Sequence, residues 1–233
     1  MLDLSLHKTM RSGKRQFQLA LDYQSHSNRL VIFGPSGSGK SLTLRMIAGL
    51  LQPDHGYIRV NQRTLFSSAE AINLTPQQRQ MAFLFQDYAL FPHLTVRQNI
   101  GFGLRSGWLN PRRHIADPAI DYWLNSFALV DLQHQLPSEL SGGQRQRTAL
   151  ARALVAQPKA LLLDEPFAAL DPGLRVHMRQ ELDELQQRLQ VPMILITHDE
   201  ADVKVFGQEV LYLKEGAIDQ PLMLNNSPKP TSL

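Results

Sequence analysis

Residues 34–41 of the chain read Gly34-Pro35-Ser36-Gly37-Ser38-Gly39-Lys40-Ser41. They fit the pattern G-x-x-x-x-G-K-[ST], between the apolar run 30–33 and a helical segment that begins near Leu42. Glycines let backbone N–H groups converge, and the helix N-terminus adds partial positive charge, so the loop forms an anion nest. A turn that merely caps a helix is the alternative, and the flanking strand and helix argue against it. The sequence predicts that residues 34–42 bind a nucleotide, with Lys40 at the β- and γ-phosphates and Ser41 on Mg²⁺.

Two adjacent carboxylates, Asp164 and Glu165, follow the apolar run 160–163. Open parallel sheets bind their ligands at the carboxyl ends of the strands. Burying a carboxylate without a partner costs free energy, so two carboxylates at the end of a buried strand indicate a functional site. The alternative is that they cap the next helix. We expect Asp164 to hold Mg²⁺, directly or through water, and Glu165 to orient and polarise an attacking water.

A second anion nest is predicted at Leu140-Ser141-Gly142-Gly143-Gln144, immediately before the helical run 145–156. Ser141 is also a good N-cap, so an ordinary capped helix explains the same residues. Two phosphate cradles in one short chain need an explanation. Either the fold brings them together, or each completes a site on another copy of the chain.

The spacing of apolar residues predicts an α/β fold. Alternation over residues 2–6 and 17–21 indicates antiparallel strands with one buried face, whereas the runs 30–33 and 81–85 indicate strands covered on both faces. Further strands are predicted at 57–60, 64–66, 160–163, 193–197 and 210–213, with helices at 172–190 and 199–206. Alternating strands and helices predict a mostly parallel sheet of P-loop NTPase type, accompanied by an antiparallel β sub-domain.

The pattern changes after Pro92, where helical segments at 95–104 and 118–130 replace strands. Breaks are expected at Gly107, at Asn110-Pro111 and at Pro137. We therefore predict a helical sub-domain over residues 92–150, inserted into a single domain of residues 1–220. A short polar tail is expected over residues 221–233.

Composition excludes several classes of protein. The 233 residues carry a net charge of +3 with 19% charged residues, a basic excess too small to argue for nucleic acid as a partner. The absence of cysteine excludes disulfides, thiolate zinc sites and cysteine nucleophiles. The N-terminus has no apolar signal-peptide core, and the apolar runs are far shorter than the roughly 18 residues that span a bilayer.

Taken together, these motifs resemble the ATP-binding subunits of ABC transporters, whose signature sequence is Leu-Ser-Gly-Gly-Gln. The resemblance extends from the first strand to about Asp219, with the motifs in the family's order. It implies a head-to-tail homodimer in which the P-loop of each copy faces the signature of the other. Ser141 and Gly143 would then contact the γ-phosphate of ATP bound to the opposite copy, with Gly142 and Gln144 in the same loop.

Three further residues match functional positions of that family. The resemblance implies that Gln86 touches Mg²⁺ and the attacking water, and that Asp171, in Ala169-Leu170-Asp171, reaches across the dimer. It also implies that His198 hydrogen-bonds the γ-phosphate and acts with Glu165 in catalysis. Taken alone, a glutamine at a strand end is usually a turn residue, and a histidine beside a strand is usually structural.

The chain departs from the family's pattern in three places. An aromatic residue upstream of the P-loop usually stacks on adenine, but residues 10–15 contain none, which leaves Phe17 or Tyr23 as substitutes. The usual serine of the D-loop is Ala169, and the Glu-Ala pair after the switch histidine reads Asp202-Val203.

Residues 85–100 resemble importer ATPases for oxyanions, sugars and polyamines, and residues 65–76 are most similar to those of molybdate importers. The resemblance implies a peripheral subunit on the cytoplasmic face of the membrane that powers import of molybdate or a related oxyanion. The region Tyr88–Leu94 would receive the coupling helix of an integral membrane permease, although its aromatic residues fit a sub-domain core equally well. A substrate-binding protein would be an indirect partner. Since the sequence ends at Leu233, we expect no C-terminal regulatory domain and no response of ATP turnover to molybdate.

Other functions remain open at this point. An importer ATPase for sulfate, sugar or polyamine fits the same motifs. A soluble ABC-type ATPase of DNA repair or translation normally carries two ATPase halves or a long coiled coil, and neither is predicted here. A nucleotide kinase shares the P-loop but has no use for residues 140–144 or for Gln86.

Overall fold

The computed structural model describes residues 2–13, 15–104, 110–112, 115–168 and 170–222. The strands are β1 (Leu2–Ser12), β2 (Arg15–Ser25), β3 (Arg29–Phe33), β4 (His55–Val60), β5 (Arg63–Ser67), β6 (Ile72–Asn73), β7 (Met81–Leu84), β8 (Ala160–Asp164), β9 (Met193–Thr197), β10 (Glu209–Lys214) and β11 (Ala217–Leu222). The α-helices are α1 (Lys40–Ala48), α2 (Pro76–Arg79), α3 (Val96–Phe102), α4 (Pro118–Ser126), α5 (Gly142–Leu154), α6 (Pro172–Leu189) and α7 (Glu200–Phe206).

The strands form two sheets. The larger sheet has the order β11-β10-β3-β9-β8-β7, and every pair from β10 to β7 is parallel. The smaller sheet, β2-β1-β4-β5-β6, is antiparallel throughout. This arrangement confirms the predicted α/β fold, with a mostly parallel sheet and an antiparallel β sub-domain.

Strand β3 shows why the apolar runs lack alternation. Leu30 and Ile32 are fully buried in a core shared with α1 and the antiparallel sheet. Val31 points to the opposite face and is fully buried in a second core, which α3 to α7 cover. Both faces of the parallel sheet are therefore protected from water, and the strand that leads into the glycine-rich loop lies at the centre of the molecule.

The β1–β2 hairpin follows the predicted alternation. Leu2, Leu4 and Leu6 of β1 are buried, as are Leu19 and Leu21 of β2. The strands pair antiparallel along their whole length. One face of this hairpin thereby closes the core above α1.

Helices occupy the chain between β7 and β8, and no strand occurs among the described residues from 85 to 159. Thr95 and Ser141 begin α3 and α5 with capping boxes, in which each side chain and the residue three positions later hydrogen-bond reciprocally. Two short 3-10 turns, Val130–Leu132 and Pro137–Glu139, connect α4 to α5. The break predicted at Gly107 lies outside the described residues.

The structure differs from the sequence-based expectation mainly at the end of the sheet. Strand β11 pairs with β10 as an antiparallel edge and reaches Leu222, two positions into the segment expected to be a tail. The remainder of that segment, residues 223–233, lies outside the described residues. Strand β7 ends at Leu84, one residue earlier than expected. Within the described part of the chain, no helix is long and apolar enough to cross a membrane.

Candidate nucleotide-binding site

Glycines shape the loop that joins β3 to α1. Gly37 and Gly39 have φ of 80° and 105°, in the left-handed region that favours glycine. At Gly34 the constraint is space, because a Cβ atom there would lie 2.1 Å from the carbonyl oxygen of Leu213 on β10. The loop is thus held close to the sheet edge at the start of α1.

Lys40 is the first residue of α1, and its side chain folds back over the loop. Its Nζ donates to the carbonyl oxygens of Gly34 at 2.7 Å and Pro35 at 2.9 Å. Burial lowers the pKa of Lys40, while the charges of Glu165 and Asp164 act to raise it. The ammonium group lies ready to exchange these carbonyl contacts for a bound anion.

Asp164 ends β8 at the carboxyl edge of the parallel sheet, as the sequence predicts. The residue is 7% exposed, and its Oδ1 accepts a hydrogen bond from Ser41 Oγ at 3.1 Å. Burial raises the pKa of Asp164, and the hydrogen bond from Ser41 opposes that rise. The fold therefore brings together the hydroxyl and the carboxylate that were both assigned to a metal ion.

Glu165 lies between two cationic or polar groups. Its Oε1 is 4.0 Å from Lys40 Nζ and 3.2 Å from Nδ1 of His198, the residue after β9. Its φ of 45° is strained for a residue with a side chain, and its N–H donates to the carbonyl of Ile196 at 3.0 Å. Strain of this kind is held in place by the surrounding structure and concentrates at functional sites.

A cavity of about 410 Å³ joins these elements. That volume is within the range of small-molecule sites. Gln86, exposed just beyond β7, reaches the same cavity. The residues that line it are Met10, Phe17, Ser36, Gly37, Gly39, Lys40, Ser41, Leu42, Gln86 and Glu165. Asp164 and His198 join the site through their contacts with Ser41 and Glu165.

The hairpin contributes two cavity residues, of which sequence reasoning named one. Phe17 lines the cavity, and so does Met10, which pairs with Phe17 across β1 and β2. Register counted from the β1–β2 turn would have found Met10. Tyr23 does not line this cavity, and its hydroxyl donates to Glu209 Oε1 on β10 at 2.5 Å. Of the two aromatic residues considered for contact with a base, Phe17 alone lines this cavity.

The signature residues do not line this cavity. Ser141 N–H donates to Gln144 Oε1 at 2.8 Å, and Gln144 N–H donates back to Ser141 Oγ at 3.3 Å. No hydrogen bond among the described residues takes the N–H groups of Gly142 and Gly143. A Cβ on Gly143 would lie 3.0 Å from the side chain of Leu174, so the loop packs closely on α6. The loop is capped, and two of its donors are left available.

Asp171 is the N-cap of α6, and its Oδ1 accepts a hydrogen bond from the N–H of Leu174 at 3.0 Å. Its contact across a dimer stays a prediction. Ala169, the departure in the D-loop, lies outside the described residues.

The region Tyr88–Leu94 is only partly available to a partner. Tyr88 and Leu94 are only 4% and 2% exposed, and Tyr88 belongs to the core beneath α3 and α5. Ala89, Pro92 and His93 are exposed. A docking surface here consists of those three side chains, while the aromatic ring of Tyr88 serves the sub-domain core.

Comparison with known proteins shows similarity in sequence. A sequence profile described as "ABC transporter" matches residues 20–168. The trehalose/maltose import ATP-binding protein MalK of Thermococcus litoralis is 42% identical over 191 residues, which cover 82% of this chain and 51% of that protein. The sulfate/thiosulfate import ATP-binding protein CysA 2 of Agrobacterium fabrum is 40% identical over 213 residues, covering 91% of this chain and 60% of that protein.

Solved structures resemble the chain over nearly its full length. The dimeric ATP-binding cassette MJ0796, in a post-hydrolysis state bound to ADP and Pi, superposes with a TM-score of 0.78 at 29% identity. The match covers 97% of this chain and all of that one. By contrast, the chain spans only 51% and 60% of the two curated relatives. On the sequence profile, the relatives and the fold together, the chain belongs to the ABC transporter family.

Proposed function

We propose that the chain binds and hydrolyses ATP as the energy-supplying subunit of an ABC importer. The observation that carries the proposal is the position of Glu165, between Lys40 at 4.0 Å and His198 at 3.2 Å, on the cavity that the P-loop and Gln86 line. A carboxylate at this point can orient the attacking water and accept its proton. The buried ammonium beside it neutralises phosphate charge.

The hydrolysis step uses residues that the fold brings together. Water attacks the γ-phosphorus, the bond from that phosphorus to the β–γ bridging oxygen breaks, and ADP and inorganic phosphate result. Glu165 takes the water proton. Once Glu165 carries that proton it can donate to Nδ1 of His198, which leaves the N–H at Nε2 to donate to a γ-phosphate oxygen. Gln86, exposed at the cavity, orients the water.

The donor set fits Mg²⁺. Ser41 and Asp164 offer a hydroxyl and one buried carboxylate, and Mg²⁺ is usually held by one or two carboxylates plus substrate phosphates. Ser38 Oγ is buried without a hydrogen-bond partner, as expected of a loop that closes on phosphate oxygens. When bound, the ion would neutralise charge on the β- and γ-phosphates. Ser41 and Asp164 would hold it, with Gln86 completing the set.

Two copies are proposed to form one functional unit. The free N–H groups of Gly142 and Gly143 are suited to a phosphate oxygen, yet they lie outside the chain's own cavity. In a head-to-tail dimer, Ser141 and Gly143 would reach the nucleotide of the opposite copy, and Asp171 would cross the same interface. The dimeric state of MJ0796 with ADP and Pi supports this proposal.

The Glu165→Gln variant tests the ATPase. We expect it to bind ATP, to hydrolyse it about 10²–10⁴-fold more slowly than the unaltered chain, and to accumulate as an ATP-stabilised dimer in size-exclusion chromatography. The unaltered chain should release phosphate and return to monomer. A monomer that transfers phosphate to a nucleoside monophosphate would instead support the hypothesis of a nucleotide kinase.

Import, the membrane partner and the substrate belong to the proposal as well. MalK and CysA 2 are both named for import, one of a sugar and the other of an oxyanion. Within that group we propose an oxyanion, with molybdate as the candidate because of residues 65–76. The permease would dock through Ala89, Pro92 and His93 at the cytoplasmic face of the membrane, with a substrate-binding protein delivering the ion.

A pull-down of the tagged chain from detergent-solubilised native membranes tests this part. We expect a polytopic membrane protein and a binding protein whose ligand, measured with molybdate, sulfate and maltose, identifies the substrate. Recovery of ribosomal or DNA-repair proteins alone would refute import and leave the ATPase chemistry in place. A binding protein that takes sulfate or maltose would refute molybdate only.

A further inference from the structure

A buried arginine on α6 holds the loop that carries His198. Arg179 is 8% exposed, and its guanidinium faces two carboxylates. Its Nε donates to Asp202 Oδ1 at 2.5 Å, and its Nη2 donates to Asp199 Oδ2 at 2.5 Å. Asp202 is itself only 3% exposed. The fork of the guanidinium therefore fixes Asp199, the N-cap of α7, relative to Asp202 in the first turn of that helix.

Both chain neighbours of His198 are tied into this cluster. Thr197 Oγ1 donates to Asp202 Oδ2 at 2.5 Å and accepts a hydrogen bond from the N–H of Asp199 at 3.0 Å. The backbone on each side of His198 is thus anchored, directly or through one hydrogen bond, to Arg179. The side chain of His198 is 60% exposed and touches Glu165 at 3.2 Å. Since little packing restrains that ring, its place depends on the backbone that carries it.

We propose that Arg179 is a positioning residue for His198, acting through Asp202 and Thr197. This inference rests on the proposed ATPase function and adds a residue that does not touch the nucleotide. It also gives a role to Asp202, which the sequence analysis noted as a departure from the family's pattern. A buried charge pair adds little stability, because desolvation offsets most of the attraction between its charges. The pair of Arg179 and Asp202 is therefore better explained by the geometry that it fixes around His198.

The chain offers a matched control, a buried arginine that binds the same helix from β3. Arg29 of β3 is 7% exposed and pairs with Asp183 of α6 at 2.6 Å, and it also donates to Gln186. Arg29→Lys disturbs a bridge between a buried arginine and an aspartate of α6, comparable to the bridge between α6 and α7 that Arg179→Lys disturbs, but the partners of Arg29 do not flank His198. The Arg29→Lys variant therefore shows how much kcat changes when the loss of such a bridge only lowers the stability of the chain.

The test is a double-mutant cycle on ATP turnover. Arg179→Lys and Asp202→Asn should each lower kcat about tenfold or more, with KM for ATP changed less than about twofold, because a misplaced group slows chemistry without weakening binding. In the His198→Ala background the same changes should lower the residual kcat less than about twofold, since residues that act as one unit are not additive. Arg29→Lys should leave kcat within about twofold at a comparable loss of thermal stability.

An independent readout covers variants whose turnover is too low to measure. In chains labelled with ¹³C at histidine Cε1, the signal that His198→Ala removes identifies the His198 ring. That signal should shift in Arg179→Lys and Asp202→Asn and stay in place in Arg29→Lys. If Arg179→Lys does not fold, Asp202→Asn carries both measurements alone.

The inference is overturned if kcat falls by the same factor with and without His198, or if the His198 signal does not move. It is also overturned if Arg29→Lys lowers kcat as much as Arg179→Lys does. These outcomes differ from failure of the proposed function, in which the unaltered chain itself releases no phosphate from ATP.

Discussion

Arg152 of α5 is expected to hold a strained turn beside Gln86. Tyr88 and Ala89 have φ of 63° and 42°, a conformation that costs a residue with a side chain roughly 1–2 kcal/mol. Arg152 Nη1 donates to the carbonyl of Ala89 at 2.7 Å, and Nη2 donates to that of Tyr88 at 2.8 Å. Its guanidinium also lies 5.6 Å from the ring centre of Phe91. The turn therefore depends on one side chain from another element.

The contacts set the size of the effect. Two hydrogen bonds from a charged donor contribute about 3–6 kcal/mol. Burial lowers the pKa of Arg152 to about 10, so desolvation of this guanidinium is large and places the expected effect at the low end of that range. We expect Arg152→Met to lower the free energy of unfolding by about 3 kcal/mol. The midpoint of thermal unfolding should then fall by roughly 6–12 °C for a chain of this size.

A second substitution separates strain from simple loss of contacts. Ala89→Gly should stabilise the unaltered chain by about 1 kcal/mol, because glycine adopts this φ without a steric penalty. In the Arg152→Met chain the turn is free to relax, so the same change should bring no gain. Urea and thermal unfolding followed by circular dichroism measure both effects, and amide exchange over residues 86–91 locates them.

Additive effects within about 0.5 kcal/mol would refute the reasoning, since a turn held by Arg152 requires the two substitutions to be coupled. Arg147→Met is the matched control on α5. Its guanidinium makes one longer contact, 3.7 Å to Glu181, so its loss should cost less than about 1 kcal/mol.

Three further outcomes are expected. Gly34→Ala should cost about 3 kcal/mol of stability and abolish ATP binding in calorimetry, because its Cβ would lie 2.1 Å from the backbone oxygen of Leu213. Burial and the hydrogen bond to Glu209 raise the pKa of Tyr23, so the stability it contributes is complete below about pH 10 and is lost above it. Alkaline unfolding curves should show that loss in the unaltered chain and not in Tyr23→Phe. Phe17→Ala should weaken ATP and GTP binding alike, by about tenfold in titration calorimetry, since stacking on an aromatic ring contributes roughly 0.5–1.5 kcal/mol and does not discriminate purines.

Local pattern was enough to predict the parts of the site that lie at strand ends. Asp164 and Glu165 follow a buried strand, and parallel strands bring their carboxyl ends to one edge, so the contact of Asp164 with Ser41 follows from topology. The glycine loop could also be predicted, because the residues that form it are contiguous in the sequence. Strand β11 was missed because residues 217–222 combine polar residues with Pro221 and show weak alternation.

Contacts between distant elements could not be read from the sequence. Tyr88 belongs to a segment that resembles a docking surface, yet tertiary packing buries its ring. Arg179 and Asp202 lie 23 positions apart on different helices, and no motif predicts that they pair. In each case the deciding term is packing of one element on another, which periodicity within a single element does not encode.

The two phosphate loops differ in a way that bears on the proposed dimer. The P-loop ends at Gly39, which provides no side-chain cap, and its lysine reaches the neighbouring carboxylates within the same chain. The signature loop is capped by Ser141, and α5 has no acidic residue in its first turn to balance the partial positive charge of its N-terminus. The N–H groups of Gly142 and Gly143 remain without acceptors among the described residues. That loop lies outside the cavity of its own chain, so in the proposed head-to-tail dimer a nucleotide held by another copy would supply the anion that these N–H groups are suited to bind.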